Sequence, residues 1–181
     1  MNIALYGGSF DPPHIGHVRV VEAALAVLPI DRLIIVPAYK NPFKQSIYAP
    51  ANKRLEWLRK LFADIPKVEI SDFEIRQNRS VTTIETVEHF HHFYEIIYLI
   101  IGADNLEKLS QWHRYEELTT LVHWVVATRG ESIIPDGMIR LEVNAPISST
   151  ECRALTRSSG LHPAIDQDII TTYKENYEPK N

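Results

Sequence analysis

The sequence predicts an α/β fold: a parallel sheet of five or six strands with helices on both faces and a small helical C-terminal part. Three observations carry this. Short apolar runs alternate with amphipathic stretches along the chain. Several runs, residues 33–36 and 96–101 above all, are apolar without polar alternation, so both of their faces are covered. Strand and helix follow each other in turn, which implies parallel pairing through right-handed crossovers.

The elements follow in order. Residues 3–6 form a short apolar strand that ends at Gly7-Gly8. Val18, Val21, Ala24, Leu25 and Leu28 then recur at helical spacing. Residues 33–36 give a second strand, closed by Pro37, and Leu55, Leu58, Leu61 and Phe62 mark a second helix. Residues 68–70 make a third, weaker strand, and Ile84, Val87 and Phe90 a third helical stripe. Residues 96–101 are the strongest strand, ending at Gly102. Leu106, Leu109, Leu118 and Leu121 indicate short helices. Residues 124–127 form a fifth strand and 139–143 a sixth. The tail from 149 to 177 reads as helical, broken near residues 160–163. Residues 38–50 are the longest non-periodic stretch and read as a loop over the site. We expect one domain over 1–181, with 148–181 packed on it as the helical part.

Composition fits that domain. The 181 residues are 45% hydrophobic and 23% charged, as in an ordinary soluble globular protein. A net charge of −4 gives no electrostatic footprint for nucleic acid or an anionic membrane. No apolar run reaches the roughly 18 residues of a membrane span. The first residues carry no signal-peptide pattern, so the cytoplasm is the expected location. The one cysteine, Cys152, has no partner for a disulfide or a zinc site.

An open parallel sheet binds ligands beyond the carboxyl ends of its strands. The chain there reads Gly7-Gly8-Ser9-Phe10-Asp11-Pro12-Pro13-His14-Ile15-Gly16-His17. Glycines let backbone approach a ligand closely. The first turn of the following helix offers unpaired N–H groups and a positive dipole end, which suits phosphate. Neither a Walker loop nor the dinucleotide glycine spacing is present. A zinc site would need a third ligand beside His14 and His17, and no nearby pattern supplies one. A purely local reading makes Pro12-Pro13 a rigid turn and the histidines caps.

A second segment, Ile147-Ser148-Ser149-Thr150-Glu151-Cys152-Arg153, lies far along the chain. Its hydroxyls would cap a helix. Hydroxyls, unpaired N–H groups and Arg153 one turn in also make an anion site. Ile100-Ile101-Gly102-Ala103-Asp104 closes the strongest strand, and Trp112 follows. Asp104 could hold a ribose or cap a helix; the Trp112 indole could stack on a planar ring or sit in the core.

The first segment resembles the loop of the nucleotidyltransferase superfamily that carries His-x-x-His, an arrangement that class I aminoacyl-tRNA synthetases share. The second resembles that superfamily's Ile-Ser-x-Thr-x-x-Arg motif. No Lys-Met-Ser-Lys-Ser loop is present, and the chain is short for a synthetase. With Asp104 and Trp112 included, nearly the whole chain resembles the bacterial nicotinate-nucleotide adenylyltransferase family, whose fold is Rossmann-like. Pro37 and Pro42-Phe43-Lys44 match its second loop, with Phe43 where histidine is usual. Arg54-Leu55-Glu56 matches the next helix. Thr83 and Thr86 match its Thr-x-x-Thr helix start, with Thr82 where tyrosine is common. Thr128-Arg129-Gly130 matches the adenine-side loop without its proline, and Cys152 replaces an aliphatic residue. The tail after Gly160 departs from the family pattern.

The resemblance implies AMP transfer from ATP to nicotinic acid mononucleotide in NAD biosynthesis, with pyrophosphate released and Mg2+ accompanying ATP. It implies catalytic roles for His14, His17, Lys44 and Arg153. ATP would be held by Gly7, Gly8, Ser9, Phe10, His14, Gly16, His17, Gly102, Asp104, Arg129, Ile147, Ser148, Ser149, Thr150 and Arg153. The acceptor would be held by Gly8, Ser9, Lys44, Thr83, Thr86 and Trp112. The same chemistry on nicotinamide mononucleotide or phosphopantetheine is the nearest alternative, and a non-catalytic nucleotide-binding regulator is the alternative from another class. Asp11 is expected to fix its loop through backbone hydrogen bonds. His89, His91 and His92 are expected on a solvated helix face, as are Glu116 and Glu117.

Overall fold

The computed structural model describes residues 1–40, 47–128, 130–143, 149 and 161–176. Six strands form one parallel sheet: β1 (Asn2–Gly8), β2 (Arg32–Pro37), β3 (Val68–Ile70), β4 (Ile96–Gly102), β5 (His123–Thr128) and β6 (Ile139–Glu142). Their spatial order is β3-β2-β1-β4-β5-β6, and every neighbouring pair is parallel. This is the doubly wound order, in which the chain runs outward from β1 on both sides. The crevice between the carboxyl ends of β1 and β4 is therefore the place where loops diverge and a ligand can enter.

The apolar runs split between two faces with the strand period of two. Ala4, Tyr6, Leu33, Ile35, Ile100 and Val125 join one core cluster. There they meet Val20, Val21 and Ala24 of α1 (Ile15–Val27) and Leu58 of α2 (Ala51–Leu61). Ile3, Leu5, Ile34, Val36, Ile97, Leu99 and Val126 join the other. It is closed by Ile84, Val87 and Phe90 of α4 (Thr83–His91), by Leu109 of a 3-10 helix (Ala103–Gln111) and by Leu118 of α5 (Tyr115–Leu121). Ile3, Ala4, Leu33, Ile34 and Ile35 are fully buried, which is why their runs show no polar alternation.

The last helix, α6 (Asp166–Asn176), builds a third cluster. Ile165, Ile169 and Tyr173 pack on Ala49 and on Trp57 of α2. Trp57 Nε1 donates to Asp168 at 2.7 Å, and Lys53 pairs with the same carboxylate at 3.3 Å. The expected helical tail is thus present over its second half, while residues 150–160 lie outside the described residues. One element escaped the sequence reading: α3 (Phe73–Arg76), a single turn between β3 and α4.

Candidate active site

The exit of β1 opens the rim. Ile3 to Leu5 are shut in the sheet, whereas Gly7 is exposed and Gly8 half-buried. The Gly8 carbonyl accepts from Ala38 N at 2.9 Å, which joins the β1 and β2 exits. A Cβ on Gly8 would come within 3.2 Å of the Phe10 ring, a tight contact to which the ring would have to yield by a few tenths of an ångström. Phe10 itself has a left-handed backbone, with φ of 47°, and its ring is buried. That ring meets Tyr6 edge-on at 5.4 Å and His17 at 4.8 Å. Phe10 is thus an apolar wall behind His17.

His14 caps α1, and the cap is reciprocal. Its Nδ1 accepts from Gly16 N at 3.0 Å, while His14 N donates to His17 Nδ1 at 3.0 Å. The two rings lie 3.8 Å apart, tilted by 32°. A ring nitrogen that accepts an N–H carries no proton, so each neutral ring has its proton on Nε2. The capping reading is therefore correct and incomplete. The cap uses Nδ1 of each ring as an acceptor, which puts the proton of each neutral ring on Nε2. Losing Nδ1 as an acceptor would cost the helix its cap, about 1 kcal/mol, so the cap also favours this tautomer.

Behind the loop lies a pair of buried charges. Arg54 is fully buried in α2. It donates to the carbonyls of Ser9 at 2.6 Å, Ala38 at 2.8 Å, Tyr39 at 3.0 Å and Ala49 at 3.1 Å. Burial pulls its pKa down, and the charges of Asp11 and Tyr173 pull it back up. Asp11, also buried, accepts from Tyr48 N at 2.9 Å, Ala49 N at 3.0 Å and the Tyr173 hydroxyl. The expected backbone bonds of Asp11 exist, but they reach the segment before α2 rather than its own loop. One arginine and one aspartate thus tie the β1 exit, the β2 exit, α2 and α6 together.

The β4 exit forms the opposite wall. Gly102 precedes the 3-10 helix, and a Cβ there would come within 2.4 Å of Asp104 Oδ1. Asp104 is exposed and sits inside that helix, not at its cap. Trp112 is half-buried, its ring 6.1 Å from Trp124. The indole is partly core and partly rim.

Because α4 leads back to the start of β4, its first turn lies at the rim. Thr82 caps it, with Glu85 accepting from Thr82 N and Oγ1 at 2.8 Å each. Thr83 follows, half-buried. Thr86 is buried and donates its hydroxyl to Glu74 of α3 at 2.6 Å. Burial pushes Glu74 up to about 7, while the Thr86 bond pulls it down and the Glu85 charge pushes it further up.

Of the second segment, Ser149 is described. Its hydroxyl donates to Pro12 O at 3.0 Å, which brings that segment against the histidine loop. Lys44, Arg129, Ile147, Ser148, Thr150, Cys152 and Arg153 lie outside the described residues. Among the described residues no three His, Cys, Asp or Glu side chains are grouped to hold a metal.

The α4 histidines differ from the solvated face expected of them. His89 stacks flat on Phe73 at 4.0 Å, and His91 Nε2 meets Leu121 O at 2.7 Å. Only His92 is exposed. An amphipathic helix placed between α3 and α5 has fewer open positions than its sequence suggests. Glu116 and Glu117 are exposed as expected. Sequence reasoning missed Arg54 and Glu74 as site-building residues, because burial of a charged side chain leaves no periodic signal.

A profile of the cytidylyltransferase-like family matches residues 5–155. The probable nicotinate-nucleotide adenylyltransferase of Sulfurimonas denitrificans is 50% identical over 175 residues, covering 97% of this chain and 96% of that protein. Its namesake from Campylobacter fetus is 48% identical over 177 residues, covering 97% and 98%. Among solved structures, nicotinic acid mononucleotide adenylyltransferase of Plasmodium falciparum complexed with NaAD has a TM-score of 0.74 at 22% identity, covering 96% of each chain. The structural likeness supports the fold; the sequence likeness goes further. The chain belongs to the nicotinate-nucleotide adenylyltransferase family, within the cytidylyltransferase-like proteins.

Proposed function

We propose that this chain transfers AMP from ATP to nicotinic acid mononucleotide, giving nicotinic acid adenine dinucleotide and pyrophosphate, in NAD biosynthesis. The observation that carries the reading is the reciprocal His14–His17 cap, which fixes both imidazoles together at the start of α1. The relatives' names supply the acceptor.

The acceptor's phosphate is already an anionic nucleophile near neutral pH, so no general base is required. Its oxygen attacks the α-phosphorus in line, the bond to the bridging oxygen breaks, and pyrophosphate leaves with that electron pair. Catalysis then comes from positioning and charge stabilisation. His14 and His17 hold phosphate oxygens, with His17 nearer the reacting phosphorus. The Gly7-Gly8-Ser9 backbone and the first turn of α1, including Gly16, accommodate the phosphates. Ser149, Thr150 and Arg153 hold the leaving pyrophosphate, and Lys44 adds charge from the second loop. Asp104 and Gly102 take a ribose edge; Arg129 lies on the adenine side. Thr83, Thr86 and Trp112 take the nicotinate ring. Mg2+ would accompany ATP as its counter-ion and supply charge neutralisation at the phosphates.

The test is turnover with ATP and each of nicotinic acid mononucleotide, nicotinamide mononucleotide and phosphopantetheine, read as pyrophosphate release and dinucleotide formed. Turnover is expected to favour the acid form. Strong preference for another acceptor would reject the substrate assignment. Tight ATP binding with no turnover on any acceptor would make the chain a nucleotide-binding regulator.

A further inference from the structure

Glu74 is a carboxyl group in an unusual setting. It is 8% exposed and, among the described residues, forms no ion pair. Its partner is the Thr86 hydroxyl, 2.6 Å away. A threonine hydroxyl has one proton and two lone pairs. While Glu74 is ionised, that proton is committed to the carboxylate. Thr86 then offers a ligand lone pairs only, which suits an N–H donor and repels a carboxylate. If a proton from solvent bonds to Glu74, the acid can donate to Thr86 Oγ1. The threonine proton is then released to donate elsewhere.

We propose that Glu74 is a positioning residue that sets acceptor specificity through Thr86, so that binding an acceptor with a ring carboxylate draws one proton onto the Glu74–Thr86 pair. The inference rests on the acceptor assignment made above for Thr86. Burial supports it by raising the Glu74 pKa to about 7, so that both protonation states are accessible near neutral pH. The surrounding charges are otherwise engaged. Asp72 and Arg76 of α3 pair at 3.2 Å, and Arg59 of α2 lies 3.9 Å from Asp72. Glu85 of α4 is held by Arg79 at 2.7 Å and lies well below neutrality. His89 of α4 packs on Phe73, and burial holds its pKa below the usual histidine value. Glu74 is the group of this set placed to titrate near pH 7.

The experiment compares kcat/KM for nicotinic acid mononucleotide with that for nicotinamide mononucleotide between pH 6 and 8.5. Both acceptors carry the same phosphate, so its own titration cancels in the ratio. In the wild type the acid-to-amide ratio should fall above about pH 7, approaching tenfold per pH unit for one linked proton. In Glu74→Gln and Thr86→Val the ratio should be flat, and Thr86→Ser should restore the slope. Calorimetry of acceptor binding at pH 8, in two buffers of different ionisation enthalpy, counts the proton without turnover. One proton is expected for the wild type and none for Glu74→Gln. A flat wild-type ratio, an unchanged slope in Glu74→Gln, or binding without proton uptake would overturn the role of Glu74. Absence of turnover on the acid acceptor, with proton-linked binding intact, would instead reject the activity and leave the Glu74 role supported.

Discussion

Arg54 Nη1 donates to the carbonyl oxygen of Ser9 at 2.6 Å, across 45 residues of sequence. The same guanidinium also holds Ala38, Tyr39 and Ala49. A guanidinium has five donors in a fixed fork and can serve all four carbonyls, whereas an ammonium has three. Arg54→Met would strip donors from four carbonyls. We expect a loss of about 3–5 kcal/mol in urea unfolding, since each buried acceptor left without a partner costs about 1–3 kcal/mol. Arg54→Lys should recover part of it. A methionine variant within about 1 kcal/mol of wild type would show that these bonds contribute little net stability.

The cap predicts a separation of stability from turnover at His17. In His17→Asn, the Asn Oδ1 can take the place of Nδ1 and accept from His14 N, but no donor replaces Nε2–H. Unfolding free energy should stay within about 1 kcal/mol, the typical scale of a cap. Turnover should fall on the order of 10²–10³-fold, as when one transition-state donor is lost. Near-normal turnover in the folded variant would remove His17 from the chemistry.

How much of this was legible follows from what each feature leaves in the sequence. Residues 33–36 and 96–101 announced buried strands because both faces of the sheet are covered, and their alternation into two clusters needed no further information. The single turn of α3 is too short for a helical period. His14 and His17 were visible as a pair, but the division of labour between Nδ1 and Nε2 depends on two bonds only the folded loop makes. The burial of Arg54 and Glu74 is not legible, since the sequence does not say which helix face meets a loop: Arg54 only matches a family helix and Glu74 belongs to no motif. Asp104 was read as a cap or a ribose ligand, and placing it inside the 3-10 helix removes the first option.

Glu74 also makes a prediction about stability and pH. Its folded pKa is raised to about 7 from 4.5. Between those values the folded state binds the extra proton, so stability falls as pH rises from about 4.5 to 7 and then levels. At about 1.4 kcal/mol per unit, the penalty is on the order of 3 kcal/mol at most. Glu85 works oppositely: the Arg79 bond holds it down to about 2, so its contribution is lost as pH falls from about 4.5 toward 2. Glu74→Gln should therefore raise the Tm at pH 8 and change it little at pH 4.5. An equal shift at both pH values would mean that ionising Glu74 is not what costs stability.

Gly102 offers a probe of Asp104 that leaves the backbone alone. Its φ of −75° and ψ of 149° suit any residue, so Ala adds no backbone strain. The added methyl would meet Asp104 Oδ1 at 2.4 Å and must turn that carboxylate away. Gly102→Ala should keep its unfolding free energy within about 1 kcal/mol of wild type, since the displaced group is exposed. If Asp104 holds a ribose hydroxyl, KM for the nucleotide should rise on the order of tenfold, for about 1.4 kcal/mol of lost binding. Asp104→Ala should reproduce that rise, and the double variant should add nothing, because both changes remove the same contact. Additive losses in the double variant would mean that Gly102 acts on the ligand directly, through the close approach of its own backbone.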